Sequence, residues 1–94
     1  MKQGEHMKIK PGFSLKTENG ETIVICDKNI IRDFNSTIVL TDTSVHLWNL
    51  LQNGNCTKEQ MLHSLLQHFD ISTVHALNNI DVFIRTFKEN GIIE

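Results

Sequence analysis

Tyrosine is absent from the 94 residues and tryptophan occurs once, at Trp48. Stacking platforms for single-stranded bases need several exposed aromatic rings, so a reader of that kind is not expected. An excess of positive charge is missing too. Nine Lys and Arg stand against eleven Asp and Glu, a formal net charge of −2, which supplies no basic field to hold a polyanion. The two cysteines, Cys26 and Cys56, have no C-x-x-C spacing. They give neither a metal framework nor a disulfide scaffold, and free thiols are the expectation. No apolar run approaches the roughly 20 residues that span a bilayer. The opening MKQGEHMKIK also lacks the apolar stretch of a secretory signal, so no membrane partner and a cytoplasmic location are expected.

What is present is an ordinary globular composition, 39% hydrophobic and 21% charged. Such a chain can bury a core, but its length suits one domain without a separate substrate lobe. The polar stretch before Pro11 reads as a loose lead-in. The predicted organisation is therefore a lead-in over residues 1–9 and a single domain over 10–94.

From Gly12 the pattern becomes strand-like. Phe13 and Leu15 alternate with Ser14 and Lys16, and Glu18-Asn19-Gly20-Glu21 supplies hairpin turn chemistry, because Asn and Gly tolerate positive φ. The returning strand, Thr22 to Cys26, is rich in β-branched residues and breaks at Asp27-Lys28-Asn29. After a further polar interruption, Thr37-Ile38-Val39-Leu40 reads as a third short strand.

At Thr41 the apolar period shifts from two towards 3.6. Val45, Leu47, Trp48, Leu50 and Leu51 share a helical face behind a cap at Thr41 or Asp42, and that helix ends near Asn53-Gly54. Thr57 and Gln60 have capping-box spacing ahead of Met61, Leu62, Leu65, Leu66 and Phe69. Ser72 caps a third helix whose core stripe is Leu77, Ile80, Phe83, Ile84 and Phe87, with Gly91 as its stop. The expected fold class is α+β, a three-stranded antiparallel sheet followed by three helices. Those are the parts of a winged helix-turn-helix with the strands placed first.

Lys10-Pro11-Gly12-Phe13, Phe34-Asn35, and the run from Ile38-Val39-Leu40 through Thr41-Asp42-Thr43 to Leu47-Trp48-Asn49-Leu50-Leu51 together resemble the PqqD-like family. So do Gly54, Thr57, Phe69-Asp70, and Phe83-Ile84-Arg85-Thr86-Phe87 ahead of Gly91-Ile92-Ile93. The resemblance runs from about Lys8 to Glu94. No single piece is diagnostic, since each is mainly core and cap chemistry; the ordered set is more specific. Two departures stand out. Thr41-Asp42-Thr43 replaces a common Asn-Glu-Thr while keeping a capping oxygen at each place, and Asn79 stands where the family often has Asp.

The resemblance implies a RiPP recognition element. Such a domain is not an enzyme and needs no cofactor; it binds the leader of a ribosomally made precursor peptide and presents it to a modifying enzyme, often a radical-SAM protein. The family's receiving edge and second wall map onto Thr37, Ile38, Val39 and Leu40 and onto the helix after Ser72. A guest strand there would satisfy open N–H and C=O groups. On the helical wheel His75, Asn79, Val82 and Thr86 form a stripe without carboxylate or lysine, which makes the expected groove wall with Phe83 at its base. The plainer alternatives are that Ile38-Val39-Leu40 is sheet core and that Val82 is one scattered surface apolar residue.

Other chemistries have less support. His63 and His68 are five apart and point roughly 140° away from each other on a helix, so the five histidines read as solvated or capping groups and no metal site is expected. No nucleophile sits at a strand-to-helix elbow. Cys56, beside the Thr57 cap, is either a thiol of lowered pKa or a chance surface cysteine. Two rival functions remain open. One is a DNA-binding winged-helix regulator, although Arg85 and Lys88 are offset by Asp81 and Glu89. The other is a structural docking subunit of an enzyme complex. The chain is expected to be a monomer or an edge-paired homodimer.

Overall fold

The computed structural model describes residues 6–93. Three strands, β1 (Phe13–Glu18), β2 (Glu21–Cys26) and β3 (Val39–Leu40), precede three helices, α1 (Asp42–Gln52), α2 (Lys58–His68) and α3 (Thr73–Glu89). The fold is α+β, with an antiparallel sheet in the order β1-β2-β3.

The β1–β2 hairpin turns at Asn19-Gly20, where Glu18 pairs with Glu21. Both turn residues have positive φ, 51° and 79°, the geometry that a two-residue hairpin loop asks of Asn-Gly. Gly12 meets a stricter demand at the other end of β1. Its φ is +100°, and a Cβ there would come within 3.0 Å of Ile31 Cγ1, so only glycine fits without displacement.

Each helix starts on a side-chain cap. Thr41 Oγ1 accepts from the Ser44 N–H at 3.3 Å, and Ser72 Oγ accepts from the His75 N–H at 3.1 Å. At α2 the box closes in both directions: Thr57 Oγ1 accepts from the Gln60 N–H, and Gln60 Oε1 accepts from the Thr57 N–H. After the Asn90 cap of α3 the backbone turns at Gly91, with φ +70°.

The core forms where the inner sheet face meets the three helices. Leu47, Leu51, Met61, Leu65, Ile80 and Ile92 are its most enclosed side chains. Trp48 meets Phe87 edge-on at 5.6 Å, and Phe87 stacks on Phe83 at 4.3 Å. On α3 the buried set is Ala76, Ile80, Phe83 and Phe87, whereas Leu77 and Ile84, expected in that stripe, are half-buried at its margin.

Two expectations change. The lead-in over residues 1–9 is not loose where it can be followed; residues 1–5 lie outside the described residues. Met7 and Cys56 exchange backbone hydrogen bonds of 2.8 and 2.9 Å, and Ile9 bridges Ile93 while the Lys10 N–H donates to the Ile92 carbonyl. Met7 is 3% exposed. Alternation explains the difference: Met7 and Ile9 face the core while Lys8 between them faces solvent. The third strand is also shorter than the expected Thr37 to Leu40, being assigned only at Val39 and Leu40.

Candidate functional site

β3 is an outer strand, and its register decides which backbone groups it offers. Ile23 pairs with Val39 and Thr22 with Leu40. One step earlier the Val24 N–H donates to the Ile38 carbonyl at 3.2 Å. In an antiparallel ladder successive residues point their N–H and C=O alternately towards and away from the partner strand. Ile38 and Leu40 therefore address β2, while Thr37 and Val39 turn their backbone groups to the open flank. Among the described residues no strand pairs there. The side chains alternate as well: Leu40 is buried, Ile38 half-buried, Thr37 exposed, and Val39 51% exposed.

On α3 His75 is exposed, Asn79 half-buried and Val82 43% exposed. Phe83 is 2% exposed and belongs to the aromatic core, which suits the base of a groove but not a surface contact. Thr86 is half-buried, and its carbonyl accepts from Asn90 Nδ2 at 2.8 Å.

The two halves are tied at one end. The Ser36 hydroxyl donates to Asn90 Oδ1 at 2.6 Å, fixing the residue before Thr37 to the C-terminal cap of α3. Neither residue was singled out from the sequence; the only hint was an Asn-Gly pair at the helix stop. The residues from 37 to 40 cover about 13 Å as an extended chain. His75 lies roughly 22 Å of helix away from Asn90. The edge and the helix stripe can thus flank only the C-terminal half of α3 together, and a guest would have to run past β3 to meet His75.

No group of three or more His, Cys, Asp or Glu side chains is placed to hold a metal among the described residues. The histidines are not all solvated. His46 is half-buried, its Nε2 lies 2.7 Å from Ser64 Oγ, and its ring sits 4.6 Å from that of His68. Burial, and secondarily the charge of His68, hold His46 below the ordinary histidine pKa. Cys56 is neither an activated thiol nor a surface one. It is buried, and desolvation pushes its pKa up, outweighing the backbone hydrogen bond at Thr57 that lowers it. Both cysteines are free thiols.

The family model described as Coenzyme PQQ synthesis protein D (PqqD) matches residues 22–93. The chain belongs to the PqqD family. No curated protein and no solved structure matches it significantly. The PqqD match begins at β2 and takes in β3, all three helices and the Ser36–Asn90 tie. Membership is consistent with a peptide-binding role and with a non-catalytic accessory protein. No helix among the described residues is long and apolar enough to cross a membrane.

Proposed function

We propose that this PqqD-family chain captures the leader of a ribosomally made precursor peptide as an added strand on β3 and presents it to a modifying enzyme, such as a radical-SAM protein, in the cytoplasm. The observation that carries the reading is the outward backbone of Thr37 and Val39 on an outer strand with no neighbour among the described residues. Backbone pairing gives affinity without demanding one sequence, and Val39 and Val82 offer exposed apolar surface for leader side chains. The domain contributes no chemistry of its own; it orders the guest. A second copy pairing through the same edge would compete with the peptide.

The register makes the test sharp. Val39→Pro deletes an N–H that points away from β2, so the β2–β3 ladder survives, as edge strands tolerate proline there. Leader affinity, measured by calorimetry with a synthetic leader peptide that binds the unaltered chain, should fall roughly tenfold, the loss of one hydrogen bond plus a steric block. Amide shifts on titration should gather at Thr37 to Leu40 and at Asn79, Val82 and Thr86. Unchanged affinity in the proline variant, or shifts confined elsewhere, rules the reading out.

A further inference from the structure

The sheet has two outer strands, and they meet solvent differently. On β1 the Gly12 carbonyl accepts from the Asp27 N–H, so by alternation Phe13, Leu15 and Thr17 turn their backbone groups away from β2. That edge is guarded. Gln52 Nε2 caps the Phe13 carbonyl at 3.5 Å, and Lys16 and Glu18 stand beside the rest as a 3.7 Å ion pair. Charged side chains on an edge discourage pairing. The β3 edge, Thr37-Ile38-Val39-Leu40, carries neither charge nor proline.

The side chains along the β3 edge form two uncharged rows. On the inner face Leu40 is buried and Ile38 packs against the core. On the outer face Val39 is 51% exposed, with Ile23 directly across on β2. Lys16, the charge of that outer row, lies beyond Ile23 on β1, so β2 and β3 both separate it from a guest. A strand added to β3, in either direction, places successive side chains on opposite faces. The guest residue beside Val39 therefore looks outward, and its chain neighbour beside Ile38 looks inward.

We infer, resting on the strand-addition reading, that Val39 is a specificity-determining residue and that the recognised leader segment carries two adjacent aliphatic residues, one for each face. A guest with a charged outer face fits less well, because a charge beside Val39 loses water without gaining a partner. A free peptide also suits the edge better than a second copy does. The strand of a second copy ends at Leu40, where Thr41 caps α1, while a peptide can run on past either end.

A phage-displayed library of random nine-residue segments, selected on the full chain, supplies the probes. Recovered peptides are synthesised, placed on the edge by amide shifts and oriented by nuclear Overhauser contacts from the Val39 methyls. The residue touching Val39 should be Val, Ile or Leu, and changing it to Asp should weaken binding about fivefold, the upper end of what a cross-strand pair contributes. Selection on Val39→Lys should replace it with Asp or Glu while keeping the inward apolar neighbour. Val39→Thr, which keeps the side-chain shape, should relax the aliphatic preference without creating a charged one. Peptides that pair at Thr37 to Leu40 with no aliphatic preference beside Val39, or with the same preference on Val39→Lys, overturn the inference and leave strand addition standing. Shifts confined elsewhere, or no peptide recovered on the unaltered chain, remove both. Shifts at Thr37 to Leu40 that grow with protein concentration alone give the edge to a second copy and overturn the inference as well.

Discussion

Six side chains of the helical half and its C-terminal return, from Leu47 to Ile92, are sealed almost completely from solvent, whereas the sheet closes only one of its faces. Phe13, Val24 and Leu40 point inward, while the register sets Ile23, Ile25 and Val39 together on the outer face, with Ile25 and Val39 exposed. The contrast separates two tasks. The strand proposed to lend its edge to a guest lies apart from the most enclosed contacts, which here are made by the helices and the C-terminal return. The sheet remains attached through its inner face and through Ser36 and Asn90.

The largest test breaks the helical side. Ile80→Ala removes a side chain with no solvent exposure from the centre of α3 and should cost about 2–5 kcal/mol, read as a lower urea midpoint. Val39→Ala, on the outer sheet face, should cost less than about 1 kcal/mol in the same experiment. Equal losses would mean that β3 is as much a part of the fold's support as α3, and the division of tasks would fail.

Local chemistry was the legible part of this division. Asn19-Gly20 announced its hairpin, and Thr57 with Gln60 announced the start of α2, because turns and caps are settled by residues a few positions apart. The α3 stripe was nearly right for the same reason, missing the small Ala76 and overrating Leu77 and Ile84, which border a cleft between α2 and α3. Contacts between distant residues were not legible. Met7 finds Cys56, Ile9 finds Ile93 and Ser36 finds Asn90, and no periodicity in the chain signals such partners. The backbone direction at Val39 depends on pairing register, which a four-residue apolar run leaves open. The candidate site was therefore readable as a region but not as a set of atoms.

A middle-sized effect sharpens the comparison from within the helices. Thr57→Ala removes the cap oxygen and leaves the Gln60 N–H to solvent, while the residue-57 N–H keeps Gln60 Oε1 as its acceptor. The expected cost is about 1 kcal/mol. Hydrogen exchange should quicken at the start of α2 while the β2–β3 amides keep their protection, since no cap in the sheet is touched. Loss of protection spread evenly over both halves would show that they unfold as one unit at every level of stress.

The smallest effect concerns His46, which α1 packs against Ser64, His68 and Phe69 at the end of α2. Burial first, and the charge of His68 second, lower its pKa from the ordinary 6.5, so the folded chain takes up this proton less readily than the unfolded one. The neutral form thus contributes its full stability above pH 6.5. That contribution declines as the pH falls from there towards the depressed folded value, and below that value it is gone. Wild type should lose stability between about pH 7 and about pH 5.5 more steeply than His46→Gln, which has no proton to gain at this position. The lost protection should appear at the α1–α2 contact and not at β3, leaving the sheet edge largely independent of this titration. Parallel pH profiles for the two proteins would remove His46 from the account.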